Sequence, residues 1–395
     1  MKNQKKKNES TPGMAFERPI EEIEMQIAEL ESLSLSTRLD ITSEIEALKT
    51  RLRETIDKTY SELSAWERVN VARHPKRPVA ADYVAEVFGD FFELHGDRVF
   101  GDDAAILTGF ATIEKRRVLL VAHRKGRTTK ERLECNFGCA HPEGYRKALR
   151  KMKLAEKLGL PIVSLINTPG AYPGIGAEER GQAMAIAENI LAMFSLEVPI
   201  VAVVIGEGGS GGALGIGVGD RVLMLEHSYY SVISPEGCAA ILWKDGERSP
   251  DAAESLKLTS KDLFGLGVVD EVINEPLGGA HRAPLVAMDE FKRVVLRHLD
   301  ELEAIETPEL LAQRREKYRR MASIEGRFPV VEVPRTDSGL EEVDISPSGK
   351  RRPPVLDGPW GSKEGRGRDE SSTGHSSASG AEPDRGSEAD SGTGN

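Results

Sequence analysis

Ile200-Val201-Ala202-Val203-Val204-Ile205 runs straight into Gly206-Glu207-Gly208-Gly209-Ser210-Gly211-Gly212, followed by Ala213-Leu214. An apolar run rich in Val and Ile and closed by glycine predicts a buried strand that feeds a turn and then a helix. A second stretch repeats the plan. Ile162-Val163-Ser164-Leu165-Ile166 leads into Asn167-Thr168-Pro169-Gly170-Ala171-Tyr172-Pro173-Gly174-Ile175-Gly176, and a helical pattern covers 178–194. Further strands are expected at 105–113, 118–122, 222–225 and 230–233, and helices at 145–158, 235–242, 251–266, 287–304 and about 308–320. Strands interleaved with helices predict an α/β fold with much parallel pairing.

Upstream, residues 1–18 read as a polar lead. Ile23, Ile27 and Leu30, then Ile41, Ile45, Leu48, Leu52 and Ile56, recur at the three-to-four spacing of amphipathic helices. The break at 34–40 fits two helices folded on each other or one helix and a linker. His74-Pro75-Lys76-Arg77-Pro78 stops the pattern, because each proline disfavours helix in the residue before it. Downstream, 25 of the last 50 residues are Ser, Gly or Pro, too few apolar groups to offset the ordering entropy of about 1–2 kcal/mol per residue. The expected organisation is a disordered lead (1–18), a helical region (19–73), a globular body (74–325) and a disordered tail (334–395).

The chain holds 53 basic and 64 acidic residues, a net −11, which disfavours nucleic acid as a partner unless a local basic patch exists. No apolar run approaches the ~20 residues that span a bilayer. Lys2, Lys5, Lys6 and Lys7 are followed by no apolar stretch, so no secretory signal is expected. Three cysteines leave one unpaired and point to a reducing, cytoplasmic setting.

Five of the seven residues at 206–212 are glycine, more than a turn needs. Glycine lets a backbone approach a ligand closely, and a helix that starts there leaves free N–H groups. Such amides hold an anion, or an oxyanion that develops during a reaction. Two other templates overlap. Gly206-x-Gly208-x-x-Gly211 with Glu226 fits a dinucleotide fingerprint, but the following helix is short and glycine-laden. Gly208-x-Ser210-x-Gly212, with Asp270 and His281 in order, fits the nucleophile elbow of a serine hydrolase. The backbone site fits best, because it also explains the first loop.

Two more patterns have local readings. Arg124, Lys125, Arg127, Lys130 and Arg132 could meet the phosphates of a ligand or an acidic partner, whereas Arg146, Lys147, Arg150 and Lys151 read as a solvated helix face. Cys135-x3-Cys139-x-His141 lacks the second pair that structural zinc requires, and no metal is expected on this chain. Glu236 and Trp243-Lys244 read as capping and packing.

Arg124-Lys125-Gly126-Arg127, Asn136-Phe137-Gly138, residues 142–148, 168–174, 176–182, 206–212 and 231–238, and Glu275-Pro276-Leu277-Gly278-Gly279-Ala280-His281-Arg282 together resemble the alpha-subunit family of the bacterial acetyl-coenzyme A carboxylase carboxyltransferases. The likeness runs from about Pro19 to Met321. It implies a crotonase-like spiral of ββα units with an N-terminal helical extension. It also implies transfer of a carboxyl group from carboxybiotin to acetyl-CoA, which gives malonyl-CoA in the first committed step of fatty acid synthesis. The implied partners are a zinc-ribbon beta subunit in an α2β2 assembly, a biotin carboxyl carrier protein and an ATP-using biotin carboxylase. On this reading the amides of Gly211, Gly212 and Ala213, opposed by Gly170 and Ala171, form the oxyanion site for biotin. Gly208, Gly209 and Tyr172 line it, and Arg124 and Arg127 serve the phosphates of coenzyme A.

Overall fold

The computed structural model describes residues 14–37 and 41–321. The expected tail at 334–395 and most of the lead lie outside the described residues. Residues 14–18 do not belong to a ragged lead. A 3-10 turn at Ala15–Glu17 packs Met14 and Glu17 into the body, because Glu17 has buried partners waiting for it.

Helices α1 (Arg18–Thr37) and α2 (Thr42–Ser61) fold back on each other through Ile23, Ile27 and Ile45, which resolves the open choice in favour of a pair. Helices α3 (Ala65–Ala72) and α4 (Ala80–Glu86) follow. Ser64 starts α3 with a capping box, its hydroxyl accepting from the Glu67 N–H while Glu67 accepts from the Ser64 N–H.

Strands β1 (Gly89–Glu93), β2 (Ile106–Ile113) and β3 (Arg116–His123) form an antiparallel meander. Then come α5 (Thr129–Glu134), α6 (Pro142–Lys157), β4 (Ile162–Thr168), α7 (Ile175–Glu179), α8 (Gln182–Met193), β5 (Ile200–Gly209), α9 (Ser210–Leu214), β6 (Arg221–Leu225) and β7 (Tyr229–Ser231). The described chain closes with α10 (Pro235–Trp243), α11 (Ser249–Leu256), α12 (Ser260–Gly265), β8 (Glu271–Ile273), α13 (Pro284–Glu303) and α14 (Thr307–Arg320). The sheet order is β1-β2-β3-β4-β5-β6-β8, parallel from β3 onward. β6 pairs with the first half of β5 and β7 with its last three residues, so the long strand serves two neighbours in succession. The strand–strand–helix repeat is visible in β2–β3–α6 and β6–β7–α10, whereas β4 and β5 each run directly into a helix.

Both faces of the parallel strands are buried, which is why they read as unbroken apolar runs. Alternate residues serve two cores. Leu120, Val163, Leu165, Val201 and Val203 meet α4 and α13 through Tyr83, Phe291 and Val295. Leu119, Val121, Ile162, Ile200, Ala202 and Val204 meet α6 and α8 through Tyr145, Met152 and Met193.

Two expected helices are each split by a left-handed residue: Gly181 (φ 80) divides 178–194, and Lys257 (φ 51) ends α11 inside 251–266. The basic face of α6 is also not solvated. Lys147 and Lys151 are buried, with their ammonium groups donating to Asp102, to the Asp103 carbonyl and to the His95 and Gly96 carbonyls. A helix face that reads as polar surface is thus a clamp on the 95–103 loop. Among the described residues no helix is long and apolar enough to cross a membrane.

Candidate functional site

The C-terminal ends of β4 and β5 lie side by side, where open α/β sheets place their ligand crevices. Much of the glycine run is strand, not loop, since β5 extends to Gly209. Its glycines allow close packing. A Cβ at Gly209 would stand 2.1 Å from the Pro169 carbonyl oxygen, and one at Gly212 would stand 2.4 Å from the Gly170 carbonyl carbon. A Cβ at Gly208 would strike the Tyr230 ring at 2.8 Å, so Gly208 is a packing residue and does not line the crevice. The two glycine stretches therefore touch.

Between them opens a crevice of about 510 Å³, lined by Gly170, Ala171, Tyr172, Ser210, Gly211 and the Val232–Ser234 turn among others. A second, apolar pocket of about 420 Å³ begins on the far side of Ser210 and Gly211, walled by Leu214, Tyr230, Leu263 and Tyr318. Ser210, Gly211 and Val232 form the rim that both share. Ser210 holds this corner with a left-handed backbone (φ 53), a conformation that is uncommon for a residue with a side chain.

The expected amide donors divide. Helix α9 begins at Ser210, so the amides of Ser210, Gly211 and Gly212 precede the first intrahelical acceptor. The Ala213 amide is the first with a helical partner, and its side chain is fully buried in the core, which removes Ala213 from the site. Gly170 is also spoken for, since its N–H donates to Thr168 Oγ1 at 3.0 Å. The Ala171 N–H has no acceptor among the described residues. Tyr172 lines the crevice with its ring stacked on His141 at 4.1 Å. From behind, Asn189 Nδ2 donates to the carbonyls of Tyr145 and Gly215, fastening α6 and α9 to α8. Arg124 and Arg127 line neither pocket; they pair with Glu93 (2.9 Å) and Asp82.

A family model described as acetyl co-enzyme A carboxylase carboxyltransferase-like matches residues 13–322. The chain belongs to that family. It is 54% identical over 310 residues to the acetyl-coenzyme A carboxylase carboxyl transferase subunit alpha of Rhodopirellula baltica, spanning 78% of this chain and 97% of the relative. The Xanthomonas axonopodis pv. citri subunit of the same name is 53% identical over 311 residues, 79% of this chain and 98% of its own. Among solved structures, the beta subunit of Pseudomonas aeruginosa geranyl-CoA carboxylase is similar over 64% of this chain and 46% of its own, at 18% identity and a TM-score of 0.46. The chain is a carboxyltransferase subunit of the acetyl-CoA carboxylase type.

In this carboxyltransferase chain the serine-hydrolase triad is not assembled. Asp270 accepts from the Val222 N–H and pairs with Lys317, while His281 packs against His74 with ring centroids 4.1 Å apart, beside Tyr60 and Glu17. Neither reaches toward Ser210. The dinucleotide template also fails, because its first glycines lie inside a paired strand and Glu226 accepts from the Glu275 N–H. Cys135 and Cys139 form no disulfide among the described residues, and the His141 ring of that pattern stacks on Tyr172.

Sequence reasoning missed two clusters. One surrounds Glu207, whose buried carboxylate accepts from Arg73 Nε and the Tyr229 hydroxyl, both at 2.7 Å, and pairs with Lys125. Arg73 continues to Glu236 at 2.5 Å. Burial opposes ionisation of Glu236, but the guanidinium outweighs it and holds the carboxyl below its usual range. The other cluster joins Glu17, His74 and His281, with potential ligand atoms within 4.8 Å of one another. Its geometry is that of a clasp. The imidazole planes are tilted by 37°, and one Glu17 oxygen already accepts from Tyr60 at 2.6 Å and from Arg282 at 3.2 Å. His74 beside Pro75 and Gly279-Ala280-His281-Arg282 are rare words, but nothing local in the sequence says that they meet.

Proposed function

We propose that this subunit holds the biotin side of a carboxyl transfer from carboxybiotin, carried on a separate protein, to acetyl-CoA, which forms malonyl-CoA. The observation that carries the reading is the crevice between the two glycine stretches, lined by Ala171 and Gly211, whose amides, like that of the adjoining buried Gly212, have no acceptor in their own helix or loop. Carboxybiotin, when bound, supplies the carboxyl group and leaves negative charge on its ureido oxygen. The chain's part is to aim neutral peptide donors at that oxygen, held rigid by the packing of Gly212 on Gly170. One such donor is worth about 2.7–4 kcal/mol in other oxyanion sites. Helix α9 has only five residues, so the donors act as single hydrogen bonds and not through a long dipole.

The site is incomplete alone. Val232, which lines the crevice, and Ile175, two residues beyond Pro173 on its wall, are 77% and 76% exposed, an apolar rim that suits a partner subunit. On this reading a beta subunit seats there in an α2β2 assembly and holds the thioester, while the biotin carboxyl carrier protein and biotin carboxylase deliver the carboxyl group. The reconstituted mixture of this chain, a beta subunit, biotinylated carrier and malonyl-CoA is expected to transfer carboxyl groups, with this chain inert when alone. Transfer by the isolated chain, or none by the assembled complex, overturns the reading. Ser210→Ala is expected to leave most of the activity, because Ser210 contributes its backbone corner and no nucleophile.

A further inference from the structure

Strand β5 is not regular where it meets the crevice. Its register against β4 steps from Ile166 opposite Val204 to Thr168 opposite Gly208, so Asn167 faces three residues, Ile205, Gly206 and Glu207. Bulges of this kind bend a strand and re-aim the side chains beyond the bend. Asn167 fills the gap. Its Oδ1 accepts the Glu207 N–H at 3.1 Å and stands 2.7 Å from where a Gly206 Cβ would lie. Glu207 is 4% exposed, and a buried carboxylate is tolerated only with well-placed partners. Here the partners come from three separate places: Arg73 just after α3, Lys125 after β3, and Tyr229 on β7. Through Arg73 the same knot reaches Glu236 in the first turn of α10, directly after the 232–234 segment that lines the crevice.

We propose that Glu207 is a positioning residue for carboxyl transfer, its carboxylate locking the bulge through Arg73 and Lys125 and so fixing residues 209–212 against 169–171. The inference rests on the crevice reading given above. The contact it protects has no slack, since even a methyl group at Gly209 or Gly212 would collide across it. Glu207 touches no substrate. It sets the aim of the amides that do.

The test uses the assembled complex. Glu207→Gln keeps the shape and an acceptor for Tyr229 but removes the charge that holds Arg73 and Lys125. The expected result is a kcat lower by roughly 100-fold, the scale of an ångström-sized misplacement. The KM for the acyl thioester stays within about twofold, because the lost interaction belongs to the transition state. Should that variant fail to fold, Arg73→Lys keeps the charge but cannot bridge Glu207 and Glu236 together, and the same split is expected with a smaller fall. The double variant Glu207→Gln/Lys125→Gln is expected to lose no more than the single, as members of one unit do. Assembled variants with wild-type kcat overturn the inference, even if their Tm drops. A wild-type complex with no transfer at all overturns the crevice reading instead.

Discussion

The two ends of β5 are each fastened by a carboxylate gripped by arginine, and the two knots differ in what surrounds them. At the start, Asp220 accepts the Ile200 N–H at 2.8 Å and meets Arg314 through both oxygens at 2.7 Å. The guanidinium spends its other donors on the carbonyls of Met193, Leu196 and Val198, so all five N–H groups are used. That knot is closed and faces nothing. At the other end Glu207 is just as buried, but its arginine is shared with Glu236 and Tyr229 beside the crevice. Same chemistry, opposite outlook: one knot secures the strand, and the other aims it.

The sharpest way to break this contrast is to crowd the aimed end. Gly212→Ala puts a methyl group 2.4 Å from the Gly170 carbonyl carbon, which must push the two stretches apart. The transfer rate of the assembled complex is expected to fall by roughly 10²–10³-fold, the size of a lost oxyanion donor. Gly265→Ala in α12 is the control, because a methyl group there has nothing within 4 Å and Gly265 does not line the crevice. If Gly212→Ala turns over at the Gly265→Ala rate, the contact between the stretches has no catalytic meaning.

The closed knot predicts the opposite signature. Arg314→Met leaves Asp220 buried without its cation, a change that costs about 3–5 kcal/mol in comparable pairs. Denaturant unfolding should show that loss, while kcat per folded complex is unchanged. A large fall in kcat at full folding would erase the distinction between the two ends.

Legibility in the sequence divides along the same line. The unbroken Val/Ile runs of β4 and β5 were legible because burial on both faces leaves no polar alternation to confuse them. β1, largely exposed, and the three-residue β8 left no such trace. The glycines at 206–209 read as loop because glycine is rare in strands, and only the Asn167 bulge and the Tyr230 packing explain their place. The crevice itself was legible, since its two stretches carry their own glycine pattern. Which amides are free was not: Thr168 silences Gly170 and the helix takes Ala213, both matters of a single bond. The knots were illegible for a simpler reason. Arg73 and Glu207 lie 134 residues apart, Asp220 and Arg314 lie 94 apart, and no local spacing records such a meeting.

A third buried carboxylate sharpens the comparison with a smaller effect. Burial alone would raise the pKa of Glu17, but hydrogen bonds from His281 and Tyr60 and the charge of Arg282 bring it down to about 2. His74 is pushed down to about 4 by burial and by His281, with Glu17 opposing and Lys76 and Arg282 adding to the shift. Both folded values lie below their unfolded ones, so in each case the unfolded chain binds more protons over the intervening range. The His74 contribution is complete above about pH 6.5 and is lost as pH falls toward 4. That of Glu17 is complete above about pH 4.5 and is lost toward 2. Acid should therefore loosen this clasp between the Ala15–Glu17 turn and the Gly279–Arg282 segment. The Tm of the wild-type chain is expected to drop by a few degrees between pH 7 and pH 5, and that drop should shrink in His74→Gln. An equal drop in both chains would mean that the acid sensitivity lies in some other group and that the clasp is as closed as the Arg314 knot.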